Sequence, residues 1–126
     1  MLFEVTSTKS IAEIDQRLRD SAARQKFGVV AVHDLKDTMR NKGVEFAGEC
    51  YIYEVCNPQQ AKRVLEANGA VSTALPCRIS VYQAGEGYKI ATLLPTALMQ
   101  MFNSPELEPV AKEVEGVIRR MVEDAA

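Results

Sequence analysis

In the stretch EVCNPQQAKRVL, residues 54–65, the thiol Cys56 stands directly before Asn57 and Pro58. Asn-Pro opens helices: the asparagine oxygen caps, and proline at the first helical position lacks only an N–H that would go unpaired there. A thiolate beside a helix N-terminus is stabilised by exposed N–H groups and the positive end of the dipole, and cysteine reactivity rises as its pKa falls. The plain alternative is that Cys56 fills a strand end facing the core, because free cysteine is among the most buried residue types.

A second thiol can reach the first. A helix from Pro58 to Asn68 rises about 16 Å, and the seven residues of AVSTALP return about 23 Å if extended. Pro76 favours an extended Leu75 before it. Cys77 therefore begins its strand near the level where Cys56 ends the preceding one, provided the two strands are antiparallel neighbours. A right-handed parallel crossover would leave the thiols at opposite ends of the sheet.

The elements that must position them follow from pattern. LFEVT (2–6) has strand character, and Ser10 with Glu13 forms an S-x-x-E capping box for a helix to about Lys26, its apolar face set by Ile11, Ile14, Leu18 and Ala22. Phe27-Gly28 provides the stop, and the β-branched run VVAVH (29–33) predicts a buried strand. A short helix spans 34–43, with Asp34 as N-cap and Gly43 beyond its end. AGECYIYEVC (47–56) alternates as a strand, and the helix opened by Pro58 ends at Asn68-Gly69, a left-handed stop.

CRISVYQ (77–83) and YKIATLL (88–94) flank the turn AGEG and should pair antiparallel. TALMQMF gives a short helix, and a last helix carries the stripe Leu107, Val110, Val114, Val117, Ile118, Met121 and Val122, with competing starts at Pro105 and Pro109. The expected fold is a single α+β domain over residues 1–126: a predominantly antiparallel five-stranded sheet with helices packed on it.

Composition narrows the function. With 126 residues the chain can bury a core without metal or disulfide. Fifteen basic against 17 acidic residues leave no positive field for a nucleic-acid backbone or an anionic membrane. The N-terminus has no secretory pattern and no apolar run approaches a bilayer span, so the expected location is cytoplasmic. Three cysteines, an odd number, suit buried or reactive thiols more than a disulfide framework.

CNPQQA (56–61), ALPC (74–77) before a β run, and PTALMQMFNSPELEPVAKEV (95–114) together resemble the family named Domain of Unknown Function 302, over nearly the whole chain and most clearly from FGVVAVHDLK onward. The resemblance implies a fold similar to that of the TATA-binding protein, a tendency to homodimerise, and two marked motifs: Cys56-Asn57-Pro58 and Pro76-Cys77. Cys50 and His33 lie outside that pattern. The shared fold carries no implication of DNA binding.

Three readings follow. In the preferred one, Cys56 is an activated sulfur and Cys77 its resolving or co-binding partner, in redox exchange or sulfur transfer with a sulfur-donor partner. Against it stand the lack of C-x-x-C and of an obvious base. The second is a small-molecule binding module whose pocket rim includes Asn57, Pro58, Pro76 and Arg78, with Tyr51, Tyr53, Tyr82 and Tyr88 as available aromatic walls. Metal binding is a variant of it, though Cys50, Cys56, Cys77 and His33 show no zinc spacing. The third is a non-catalytic homodimer, using LLPTALMQMF (93–102) or an exposed strand. The P-loop, G-x-G-x-x-G, H-E-x-x-H and G-x-S-x-G motifs are lacking, and the expectation is of no independent enzyme, no cofactor and no metal.

Overall fold

Ser10 Oγ accepts from the Glu13 N–H at 3.2 Å and starts α1 (Ile11–Arg24). The reciprocal half of the capping box is replaced by a hydroxyl–carboxylate bond of 3.4 Å from Ser10 to Glu13. The stop differs from the expected Phe27-Gly28: Lys26 takes the left-handed conformation at φ 62°, and the Phe27 N–H donates back to the Ala22 carbonyl at 2.8 Å. This six-to-one closure turns Phe27 into the core, where it is 8% exposed.

The computed structural model describes residues 1–126. Its strands are β1 (Leu2–Ser7), β2 (Gly28–Asp34), β3 (Cys50–Cys56), β4 (Cys77–Ala84) and β5 (Gly87–Leu93), in the order β1-β5-β4-β3-β2 with every neighbouring pair antiparallel. The hairpin β4–β5 turns at Gly85, whose φ of 61° suits a glycine-led two-residue turn. A Cβ on the next glycine, Gly87, would lie 2.5 Å from the Ser7 carbonyl oxygen, so the approach of β1 to this hairpin requires its absence.

The remaining helices are α2 (Leu35–Asn41), α3 (Pro58–Ala67), α4 (Pro95–Met99) and α5 (Glu108–Ala125). The two competing starts of the last helix are both used: Pro105 opens a 3₁₀ turn over 105–107, and Pro109 sits in the first turn of α5. Tyr53, Val55, Ile79, Val81 and Ile90 from one sheet face join Ile14 and Leu18 of α1 and Val110, Ile118, Met121 and Val122 of α5 in a single core. Asp124, whose carboxylate accepts from Ser21 Oγ at 2.8 Å, ties the two large helices together.

Two local expectations fail. VVAVH is not a buried strand: β2 is an edge, with Val30 and Val32 59% and 38% exposed. A β-branched run favours extended backbone in either setting, and only strand order decides which it occupies. Here α2, which follows it, buries no residue and leaves it uncovered. At the end of α3, Asn68 is extended at φ −159° instead of left-handed, and its side chain caps the following 3₁₀ segment (Gly69–Ala74) by accepting from the Ala70 N–H. The return from α3 is therefore coiled over most of its length and extended only at Leu75.

Candidate functional site

The end of β3, the start of β4 and the end of β5 meet at one end of the sheet, where α3 and α4 also begin. Val55 is the cross-strand partner of Cys77, so Cys56 lies one residue beyond that rung. From strand spacing and rise, the Cα atoms of Cys56 and Cys77 are about 6 Å apart. Cys56 has the parity of the open sheet face, but it occupies the last rung, where the chain turns into α3. All three cysteines are free thiols of intermediate exposure.

Cys56 and Cys77 border the same cavity, of about 40 Å³. Its walls are Phe27, Val64, Leu75, Pro95, Val110 and Val114, with Pro76 and the Met99 thioether; Asn57 and Gln60 are the polar neighbours, and no charged residue reaches it. Met99 and Ala111 also line an adjoining cleft of about 620 Å³ between α4 and α5, whose other walls include Thr96, Gln100, Asn103, Ser104, Glu108, Lys112 and Glu115. An apolar recess with two thiols thus adjoins a polar cleft, with one thioether and one small side chain common to both. A cleft of this volume lies within the range of small-molecule sites, which run from about 300 to 1,000 Å³.

Within the cleft the charges are largely paired. The Thr96 N–H and Oγ1 both donate to Glu115 Oε1, at 3.1 and 2.7 Å, and Lys112 Nζ pairs with Glu108 at 3.1 Å. These bonds fix the first turn of α4 against α5, and with it the approach of Met99.

Asn57 is on the rim as expected, but both the oxygen and the nitrogen of its amide have structural partners. Oδ1 accepts from the N–H groups of Gln59 and Gln60 at 3.0 and 3.1 Å, while Nδ2 donates to the Lys26 carbonyl at 3.0 Å. The Ala61 N–H goes to the Asn57 carbonyl, and Pro58 has no N–H to give. The first donors of α3 are consequently taken, and none is left for a Cys56 thiolate. Asn57 joins the cap of α3 to the left-handed turn after α1, a structural duty at the edge of the cavity.

Burial pushes the Cys77 thiol up to about 11 from the ordinary 9.0, and a charge on Cys56 would add to the effect. The folded state thus holds the Cys77 proton more tightly than the unfolded chain does. The resulting stability is fully present below about pH 9 and is lost as pH rises towards 11. Chemical denaturation of wild type and Cys77→Ala between those limits should show the wild type losing about 2 kcal/mol more than the variant. Tyr51, held up to about 12 by burial and its bond to Glu49, titrates with the same sign in both proteins and drops out of the difference. Equal losses would exclude the buried-thiol assignment.

Other expected site residues lie elsewhere. Pro58 is exposed and does not line the cavity, nor does Arg78. Arg78 opposes Glu54 on the open face of the sheet, where Arg78 Nε and His33 Nε2 approach the same carboxylate oxygen at 3.4 and 3.3 Å. No tyrosine walls the cavity. Tyr51 and Tyr88 both donate to Glu49, Tyr53 donates to Asp15, and Tyr82 donates to Glu4. Cys50 faces Tyr82 across the sheet, far along β3 from Cys56. Groups of three or more histidine, cysteine, aspartate or glutamate side chains arranged to hold a metal are absent.

The sequence reading missed Met99, Ala111 and the whole α4–α5 cleft. The one available signal was the Met-rich stretch around Met99, which gave no indication of a wall shared with the thiols.

The family described as "Domain of unknown function DUF302" matches residues 3–125. A solved structure, the crystal structure of an uncharacterized conserved protein DUF302 from Bacillus stearothermophilus, is similar to this chain with a TM-score of 0.93 and 33% sequence identity, over 99% of this chain and 98% of that one. No curated protein matches the chain. No helix is long and apolar enough to cross a membrane.

Proposed function

The chain belongs to the DUF302 family, whose function is unknown, and we propose that it serves as a small-ligand binding module with its site at the cavity bordered by Cys56 and Cys77. The observation that carries this reading is the junction of the uncharged, sulfur-lined recess with the polar cleft across Met99 and Ala111. A ligand's polar part would lie along Asn103, Ser104 and Lys112, and a small apolar or soft end would enter beside the thiols. Ligand pockets combine such an apolar lining with a few polar groups that orient the occupant.

Thiol exchange, the preferred expectation from sequence, draws less support. The Cys77 proton is held to about 11, and Asn57 takes the helix donors that would stabilise a thiolate at Cys56.

Xenon is a suitable probe, since it enters accessible apolar cavities. Under xenon pressure, the methyl NMR signals of Val64, Val110 and Val114 should shift and saturate, whereas those of Val30 and Val32 on the exposed edge should not. Ala111→Leu, which adds a side chain at the wall common to recess and cleft, should abolish the response. Linear shifts without saturation, of equal size at both sets of valines, would sink the reading.

A further inference from the structure

Three sulfur-bearing residues from three different elements border the recess: Cys56 at the end of β3, Cys77 at the start of β4 and Met99 at the end of α4. Carboxylates and imidazoles, the donors that suit hard or borderline ions, are missing from its lining. Thiolate and thioether sulfur select soft ions, and a low-coordinate soft ion needs only two or three donors. Zinc, by contrast, takes four in structural sites, and the chain nowhere assembles the cysteine, histidine or carboxylate set for that.

We propose that the ligand of this site is a soft monovalent metal ion, Cu(I), bound by the Cys56 and Cys77 thiolates with the Met99 thioether as third donor. The inference rests on the binding-module reading and supplies its ligand class. Binding forms two bonds from copper to thiolate sulfur and one to the neutral thioether. Two protons leave to solvent, no electron moves, and copper enters and remains as Cu(I).

The surroundings fit that stoichiometry. A cavity of about 40 Å³ has room for an ion. The walls are mostly apolar, and the only polar side chains among them are the amides of Asn57 and Gln60. Met99 also borders the cleft, so the thioether that completes the site stands on the way in. Met101, 69% exposed on the adjacent 3₁₀ turn, and Cys50, remote on β3, take no part in the lining.

The test is anaerobic competition for Cu(I) against bicinchoninate, with folding of each variant checked by circular dichroism. Wild type should withdraw one equivalent of copper, with an affinity that falls about 100-fold for each unit of pH lowered, as release of two protons requires. Cys56→Ser and Cys77→Ser should each weaken binding by at least about 100-fold and reduce the slope to about tenfold per unit, one proton fewer. Met99→Leu should weaken it about tenfold and leave the slope at two protons; X-ray absorption should lose one sulfur neighbour in that variant. Cys50→Ser and Met101→Leu should match wild type. Failure of the wild type to compete, binding that survives Cys56→Ser or Cys77→Ser unchanged, or binding that disappears with Cys50→Ser would each overturn the proposal. A saturable xenon response alongside any of these results would leave the binding-module reading standing with a different ligand.

Discussion

Ile118→Ala should lower the unfolding free energy by about 3–4 kcal/mol, within the range for removing a buried isoleucine side chain to the β-carbon. Ile118 is 0% exposed and belongs to the face of α5 that meets α1 and the sheet, together with Val114, Met121 and Val122. The loss combines removal of apolar surface from water with a void that rigid neighbours on two sides fill only in part. Arg120→Ala, two residues on and exposed, should cost less than about 0.5 kcal/mol. Urea denaturation of both variants reads the contrast. Similar costs at the two positions would mean that α5 is rotated from the orientation that brings Val110, Ala111 and Val114 to the cavity.

Asn57→Ala should cost about 2–3 kcal/mol, more than an ordinary helix cap. Capping substitutions lose about 1 kcal/mol, and this side chain also joins α3 to the Lys26 carbonyl at the left-handed turn. Removal of its amide leaves the N–H groups of Gln59 and Gln60 and that carbonyl without their protein partners. Asn57→Asp separates the two roles. A carboxylate keeps the cap and suits the positive end of the helix, but it cannot donate to Lys26 and turns an oxygen towards that carbonyl. Aspartate should therefore retain about half of what alanine loses, as read by the denaturation midpoint at constant m-value. If aspartate were as stable as wild type, the link to Lys26 would contribute nothing. If it were as unstable as alanine, the cap would contribute nothing.

The two marked motifs differ in how well they foretold their surroundings. Asn57-Pro58 specified a helix start by local chemistry, and the structure forms that cap with the asparagine oxygen on two N–H groups. The same cap occupies the donors that were expected to activate Cys56. A spacing argument identifies which groups can meet; how many hydrogen bonds one oxygen accepts is a matter of three-dimensional competition. Arg78 illustrates the same limit in a strand. It follows Cys77 directly, but successive side chains point to opposite faces, and register with Glu54 places it on the open face. Met99 shows the reverse case: over 20 residues from either thiol in sequence, it joins them at the cavity because β5 ends beside the start of β4 and releases α4 there.

The sequence by itself determined the elements and most of their ends, because caps, prolines, turn glycines and apolar periods act within a few residues: Ser10, Asp34 and Asn57 cap the helices they were expected to cap. It left open whether β3 and β4 are antiparallel neighbours, since a connection that carries all of α3 would also serve a right-handed parallel crossover, and the sheet order decides for the antiparallel arrangement, with Cys77 beside the end of β3. Tertiary structure alone decided that β2 is an exposed edge, that Lys26 rather than Gly28 takes the left-handed turn, and that Cys56, Cys77 and Met99 share one cavity. Burial and cavity walls are set by strand order and helix packing, and those depend on contacts between segments far apart in the chain that no local pattern encodes.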